Sequence, residues 1–340
     1  MMKSFMLPSV KGIAVCLSLL VTGGSAQASD FFAGKTITLY VGFEAGGGYD
    51  LYARLVGRHL GRFIAGEPKV IVQNMPGAAG LRVANYVYQV APQDGTALAI
   101  AAESIALEQA LQGAGTEYDA SKLSWIGRIA PSASVTFTWH TSKVKNFDDA
   151  RREESVIGAT GVTGITSYTP RALNRLAGSK FKLVTGYSGS SGVLLAMERG
   201  EVEGGFAIWP EFMKQKPEWL AQKKINVLYI VAGKRAAELP DVPTTGELGR
   251  DEEAKQVLRF LASTTGIGRS VFSTPKVPTE RLALLRSAFL QMTKDREFQR
   301  DAEQMGLQID PLAGEELQQE IAATIHSPKT IIEKAKAARD

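Results

Sequence analysis

The residues best placed to do chemistry in this sequence are glycines. Four stretches, FEAGGGYD (43–50), MPGAAG (75–80), TGVTGIT (160–166) and GYSGSSG (186–192), each follow an apolar run and lead into a helical pattern. Glycine has no Cβ, so a bound group can reach the main-chain N–H groups directly. The free N–H groups of a helix's first turn favour an anion by about 0.3–1 kcal/mol, and more when partly buried. The chemistry on offer is anion capture. For FEAGGGYD taken alone, a tight turn that binds nothing fits equally well.

The better-known phosphate and nucleophile motifs are absent. No Lys-Ser or Lys-Thr pair follows Gly47 or Gly48, and Gly46-Gly47-Gly48 does not supply Gly-x-Gly-x-x-Gly. In GYSGSSG, Ser188 is followed directly by Gly189, which breaks the Gly-x-Ser-x-Gly elbow. Asp50 is the expected N-cap of the first helix. Thr163, Thr166 and Ser167 offer hydroxyl donors in the third stretch, although plain helix capping explains them too. His59, His140 and His326 stand in no HExxH motif and beside no candidate serine. Glu201 and Glu203 are expected to face solvent, and Trp209, just after a strand, is placed to reach a cleft. No catalytic residue, cofactor or metal site is indicated.

The elements that must carry these loops alternate. Thr36–Phe43 places Ile37, Leu39, Val41 and Phe43 at period two, and Leu51, Leu55, Val56, Leu60, Phe63 and Ile64 then recur at helical spacing. KVIVQN, TALAIAA, SVTFTWH, SVIGA, KFKLVTG, EVEGGFAIW and INVLYIVA read as further strands, most with helices between them. The expected class is α/β with largely parallel sheets, in which loops after the strands gather at one edge and form a ligand cleft. The pattern restarts near Pro131, and no linker divides the chain. Two lobes are therefore expected, residues 29–131 with 232–340 and residues 132–231, hinged near 130–134 and 231–234.

The first 28 residues read differently. Lys3 and Lys11 precede or border the apolar run GIAVCLSLLV, and Ala26-Gln27-Ala28 fits a small-x-small cleavage site. The run is short for a bilayer span, so 1–28 is expected to be a cleaved signal peptide. Its removal takes the formal charge from +4 to +2 and removes Cys16, the sole cysteine. A mature chain without cysteine has no disulfide, thiolate metal site or cysteine nucleophile. No basic stripe with interleaved aromatics is present, so nucleic acid is not an expected partner.

Taken in order, these blocks resemble the extracytoplasmic solute receptors of the tripartite tricarboxylate transporter system, the Bug family. The resemblance rests on GFEAGGGYDLYAR, VQNMPGAAGLRVAN, APQDGTALAI, GATGVTG, VTGYSGSSGVLLAMERGEVEG, KRAAELPDVPTTGEL and STPKVPTERLALL. It covers essentially all of the chain after residue 28. It implies a two-lobed periplasmic binding protein fold, type II-like, that holds a small carboxylate between the lobes. It also implies delivery of that ligand to a membrane permease, by a protein expected to be monomeric. By match to the family's loops, the ligand contacts would be Phe43, Ala45, Gly46, Gly47 and Asp50, then Thr163, Gly164 and Thr166, then Tyr187 and Ser188. Asp50 is expected to organise its loop rather than touch the anion. Glu103 and Ser104 follow a strand that reaches the cleft in the family.

The chain departs from the family at three places. Glu44-Ala45 replaces an apolar-proline pair, Ser167 stands where a histidine is common, and Glu103 replaces a small hydroxyl or amide residue. With Glu44 and Glu103 at the cleft, the far end of the ligand is expected to carry a donor or a positive group, unless Arg82 intervenes. A periplasmic hydrolase with Ser188 as nucleophile, and a receptor serving a membrane sensor, are the alternatives.

Overall fold

The computed structural model describes Met1 and residues 31–160, 164–187 and 189–339. The expected signal segment, Thr163 and Ser188 lie outside the described residues. The strands are β1 (Thr36–Val41), β2 (Lys69–Asn74), β3 (Ala97–Ile100), β4 (Ser124–Ala130), β5 (Ser134–Trp139), β6 (Ser155–Ala159), β7 (Phe181–Thr185), β8 (Gly204–Ile208), β9 (Ile225–Val231), β10 (Arg269–Ser273) and β11 (Leu312–Ala313). They form two sheets, in the orders β11-β4-β10-β3-β1-β2 and β7-β6-β8-β5-β9. Each sheet has its own apolar core, and the molecule is two-lobed.

The alternation in β1 does what its period requires. Ile37, Leu39 and Val41 are fully buried against Tyr52, Leu55 and Val56 of the helix Gly48–His59. Burying each such aliphatic side chain contributes about 1.5–3 kcal/mol. β1 pairs in parallel with β2 and β3, as helical crossovers demand. The sheets are more mixed than the alternation suggests. β10 enters the first sheet antiparallel to both β3 and β4, and β5 is antiparallel to β8 and β9. Strands that arrive from the other lobe, without a crossover helix of their own, are free to run either way.

The traffic between lobes is heavier than two crossings. The chain first passes from β4 to β5 through residues 131–133. It does not return at 231–234: the Ile230 N–H donates to the Pro243 carbonyl, and Leu239 and Val242 pack on the second lobe. The helix Glu252–Ala262 also belongs there, burying Val257, Leu258 and Leu261 with Leu173 and Tyr229. Return occurs at 263–268, into β10. The helix Gly314–Ile325 packs on the first lobe through Leu317 and Ile321, and the helix Lys329–Arg339 crosses again to bury Ala335 and Ala338 in the second. The first two crossings touch. Ser132 N–H donates to the Thr265 carbonyl at 3.0 Å, and a Cβ at Gly268 would stand 2.2 Å from the Ala130 carbonyl oxygen.

Candidate functional site

The first glycine loop is built around a buried carboxylate. Asp50 is 1% exposed and accepts from the Gly46 N–H, Arg54 Nε and Asn74 Nδ2, each at 2.8 Å. Asn74, the last residue of β2, also donates to the Phe43 carbonyl at 3.0 Å. Burial alone would raise the Asp50 carboxyl; the bonds from Arg54, Gly46 and Asn74 outweigh it and hold the group below the ordinary carboxylate value. Asp50 is not the N-cap expected from the sequence. Gly47 caps the helix, and Asp50, three residues further on, reaches back to the loop. An acceptor at that place satisfies a loop N–H and complements the positive helix end.

With the loop so fixed, its glycines face empty space. A Cβ at Gly46 would meet nothing within 4 Å, and one at Gly47 only the Glu44 carbonyl, at 3.8 Å. Gly46 has φ +85°, a conformation that favours glycine, whereas Gly47 has an ordinary φ of −80°. Across from them, Gly189 caps the helix Ser190–Glu198 and is also open. A cavity of about 480 Å³ separates the two helix starts. Gly46–Gly48 line one side and Gly189–Gly192 another, with Glu211, Lys214 and Gln215 of the helix Trp209–Gln215 and the turn Met305–Leu307 completing it. Larger cavities, such as one of about 700 Å³ beside the crossings, adjoin no glycine-capped helix start.

The remaining expected residues fall into place unevenly. Phe43 lies behind the loop, its ring stacked on Tyr49 with centroids 4.1 Å apart. Glu44 and Ala45 are exposed. Gly164 caps the helix Ile165–Ala177 with φ +104°, and its surroundings are open. Thr166 braces its own loop, its Oγ1 2.9 Å from Thr160 Oγ1. Tyr187 is half-buried against the second lobe's core, and Ser104 is the half-buried residue that precedes the helix Ile105–Ala110. Glu103 is committed elsewhere. It is hydrogen-bonded by the Tyr49 hydroxyl and paired with Arg269 Nη1 at 3.3 Å, while the Arg269 guanidinium lies 4.1 Å from the Tyr49 ring centroid.

Sequence reasoning missed Arg269 and Glu211. Arg269 opens β10, far along the chain, and no local pattern ties it to Gly48. Glu211 follows Trp209 and Pro210, a start signal for a helix that a reader could have used. Burial raises the Glu211 carboxyl above its ordinary value, Arg269 works against this, and Glu103 adds to it. Trp209, expected to reach a cleft, is 4% exposed and lies in the core beside Phe212. Glu203, expected in solvent, accepts the Val156 N–H at 2.9 Å and ties β6 to β8. No histidine lines the cavity among the described residues. One group of possible metal ligands, His59, Asp295 and Glu297, brings its donor atoms within 4.8 Å of one another. The Arg62 guanidinium bonds to all three and already supplies the positive charge there.

Comparison with known proteins agrees in direction. A family model described as the tripartite tricarboxylate transporter family receptor matches residues 53–336. A protein of Cupriavidus necator described as the UPF0065 protein in the gbd 5'region is 24% identical over 335 residues, 96% of this chain and 94% of its own length. Among solved structures, a TctC solute binding protein from Polaromonas superposes with a TM-score of 0.65 at 18% identity, covering 88% of this chain and 99% of its own. An R. palustris protein solved with adipate gives 0.62 at 20% identity, over 89% and 97%.

Proposed function

The chain belongs to the tripartite tricarboxylate transporter receptor family, and on that premise we propose that it captures a small carboxylate between its lobes and delivers it to a membrane permease. The observation that carries the reading is the pair of open, glycine-capped helix starts facing each other across one cavity. Each presents main-chain N–H groups and a positive dipole end to the same space, and Ser190 and Ser191 add hydroxyls. An anion held there bridges the two lobes. The related R. palustris protein solved with adipate supports a carboxylate in that role.

In this reading residues 1–28 direct export to the periplasm and are removed, and the mature receptor is a monomer. No helix among the described residues is long and apolar enough to cross a membrane. Gly46, Gly47 and the helix start at Gly189–Ser191 hold the carboxylate. Phe43 and Asp50 hold the first loop in shape, and Gly164 with Thr166 shapes the loop 160–166. The lobes close about the crossings at 131–133, 263–268 and 326–328. Contacts that exist only in the closed form are what allow a ligand to shift that equilibrium.

Native mass spectrometry of the exported protein, purified without added ligand, tests the reading, together with a thermal-shift panel of small carboxylates. A carboxylate that copurifies, raises the melting temperature and reduces the radius of gyration in solution scattering is the expected result. A panel without any stabilising carboxylate, on a protein that carries none, would overturn it.

A further inference from the structure

The cavity between the helix starts contains one carboxylate without a hydrogen bond or an ion pair among the described residues. Glu211 lines the cavity, and its two oxygens lie 3.9 and 4.0 Å from the point where a Cβ on Gly48 would stand. Among the described residues, no donor reaches hydrogen-bond distance of it and no cation forms an ion pair with it, although the charge of Arg269 acts on it through space. Arg269 approaches the same point, its Nη2 at 3.8 Å, but is 6% exposed and already held by Glu103 and the Tyr49 ring. Its Nε is buried without a partner. The two acids at the cleft thus have different standing. Glu103 is paired with Arg269, whereas Glu211 feels that guanidinium only at a distance.

We propose that Glu211 makes the pocket select ligands that carry a protonated amine opposite their carboxylate, and reject dicarboxylates of the same length. The proposal rests on the receptor reading above and assigns the second half of the same site. A sequestered carboxylate without a partner is costly, and a ligand ammonium relieves that cost with a charge-assisted hydrogen bond. A second ligand carboxylate would instead face a like charge, with only the exposed Lys214 ammonium at the cavity to offset it. The glycine-capped helix starts hold one end of such a ligand and Glu211 the other. Lys214, one turn further along the same helix, is exposed and lines the cavity without being bonded to Glu211.

Matched probes separate the possibilities by calorimetry: succinate against 3-aminopropanoate, glutarate against 4-aminobutanoate, and adipate against 5-aminopentanoate. In the wild-type protein the aminated member of the best-fitting pair should bind about tenfold more tightly or better. Glu211→Gln should lower that affinity by about the same factor and leave the dicarboxylate unchanged or improved. It should also raise the melting temperature without ligand, since a sequestered charge is removed. A wild-type preference for the dicarboxylate of every pair overturns the proposal and leaves the receptor reading intact. So does equal loss of both members in Glu211→Gln. Absence of binding by both series, while another carboxylate copurifies or raises the melting temperature, overturns the proposal and leaves the receptor reading intact. The wild-type ranking alone decides the matter if the variant does not fold.

Discussion

Gly46 and Gly80 both have positive φ, and both stand between a strand and a helix, yet their surroundings are opposite. A Cβ on Gly46 would meet open space, while one on Gly80 would stand 2.9 Å from Ala102 N and 3.3 Å from Ala101 Cα. Gly42 continues the packed set, since its own Cβ would fall 2.7 Å from Gly80 Cα. The loop 75–80 uses glycine to bring two backbones together behind the cleft. The loop 43–50 uses it to keep a backbone bare. Glycine after a strand therefore signals close approach, and what approaches decides whether the loop is architecture or site.

The largest expected effect belongs to the packed glycine. Gly80→Val must relieve a contact with main chain and adopt an unfavourable φ, together costing about 2–5 kcal/mol in chemical denaturation. A variant that loses less than this would show that the loop yields and that the contrast is overstated. Asp50→Ala comes next. It leaves the Gly46 N–H and the Asn74 amide without their acceptor and should cost about 1.5–3 kcal/mol. Ligand affinity should fall with it, because the first loop loses its brace; unchanged affinity would separate the brace from the site.

Acid should reproduce a weaker form of that change. A carboxyl held below its ordinary value contributes stability above its unfolded pKa, about 3.9, and loses it as pH falls through the folded value. The difference in stability between wild type and Asp50→Asn should be flat from about pH 8 to 5 and shrink only below about pH 4. A difference that already shrinks at neutral pH would mean that another group titrates.

Gly47→Val should perturb the unliganded fold least. Its φ is ordinary and its only neighbour lies 3.8 Å away, so denaturation should move by no more than about 1 kcal/mol. Calorimetry should nevertheless show affinity for the bound carboxylate falling by more than about tenfold, as the isopropyl group covers the N–H groups. Parallel loss of stability and affinity would place Gly47 with Gly80.

Much of this was legible in the sequence. The strand-to-helix alternation, the β1 core face and the role of Asp50 in ordering its loop follow from period, turn chemistry and family likeness. Other features depend on contacts between distant segments. Period and composition say nothing of Arg269 meeting Glu103 across more than a hundred residues, nor of Glu252–Ala262 returning to the second lobe. Glu103 and Glu211 look alike in the sequence, and only the fold shows that Glu103 is paired with Arg269 while Glu211 lines the cavity. Alternation places Glu203 in solvent, whereas its carboxylate accepts the Val156 N–H of the neighbouring strand.

The place of β10 bears on how the molecule assembles. It lies between β3 and β4, in the interior of the first sheet, yet it comes from residues 269–273. As the chain emerges N-terminus first, the strands made earliest must wait with two open edges for a segment that arrives near the end. The second sheet is drawn wholly from residues 134–231 and can close on itself long before. Long-range pairing is slow because loop-closure entropy must be overcome first. Pulse-labelled hydrogen exchange should accordingly find the amides of β5–β9 protected before those of β1–β4. In the interval, the exposed edges of β3 and β4 are the part of the nascent protein most in need of a chaperone.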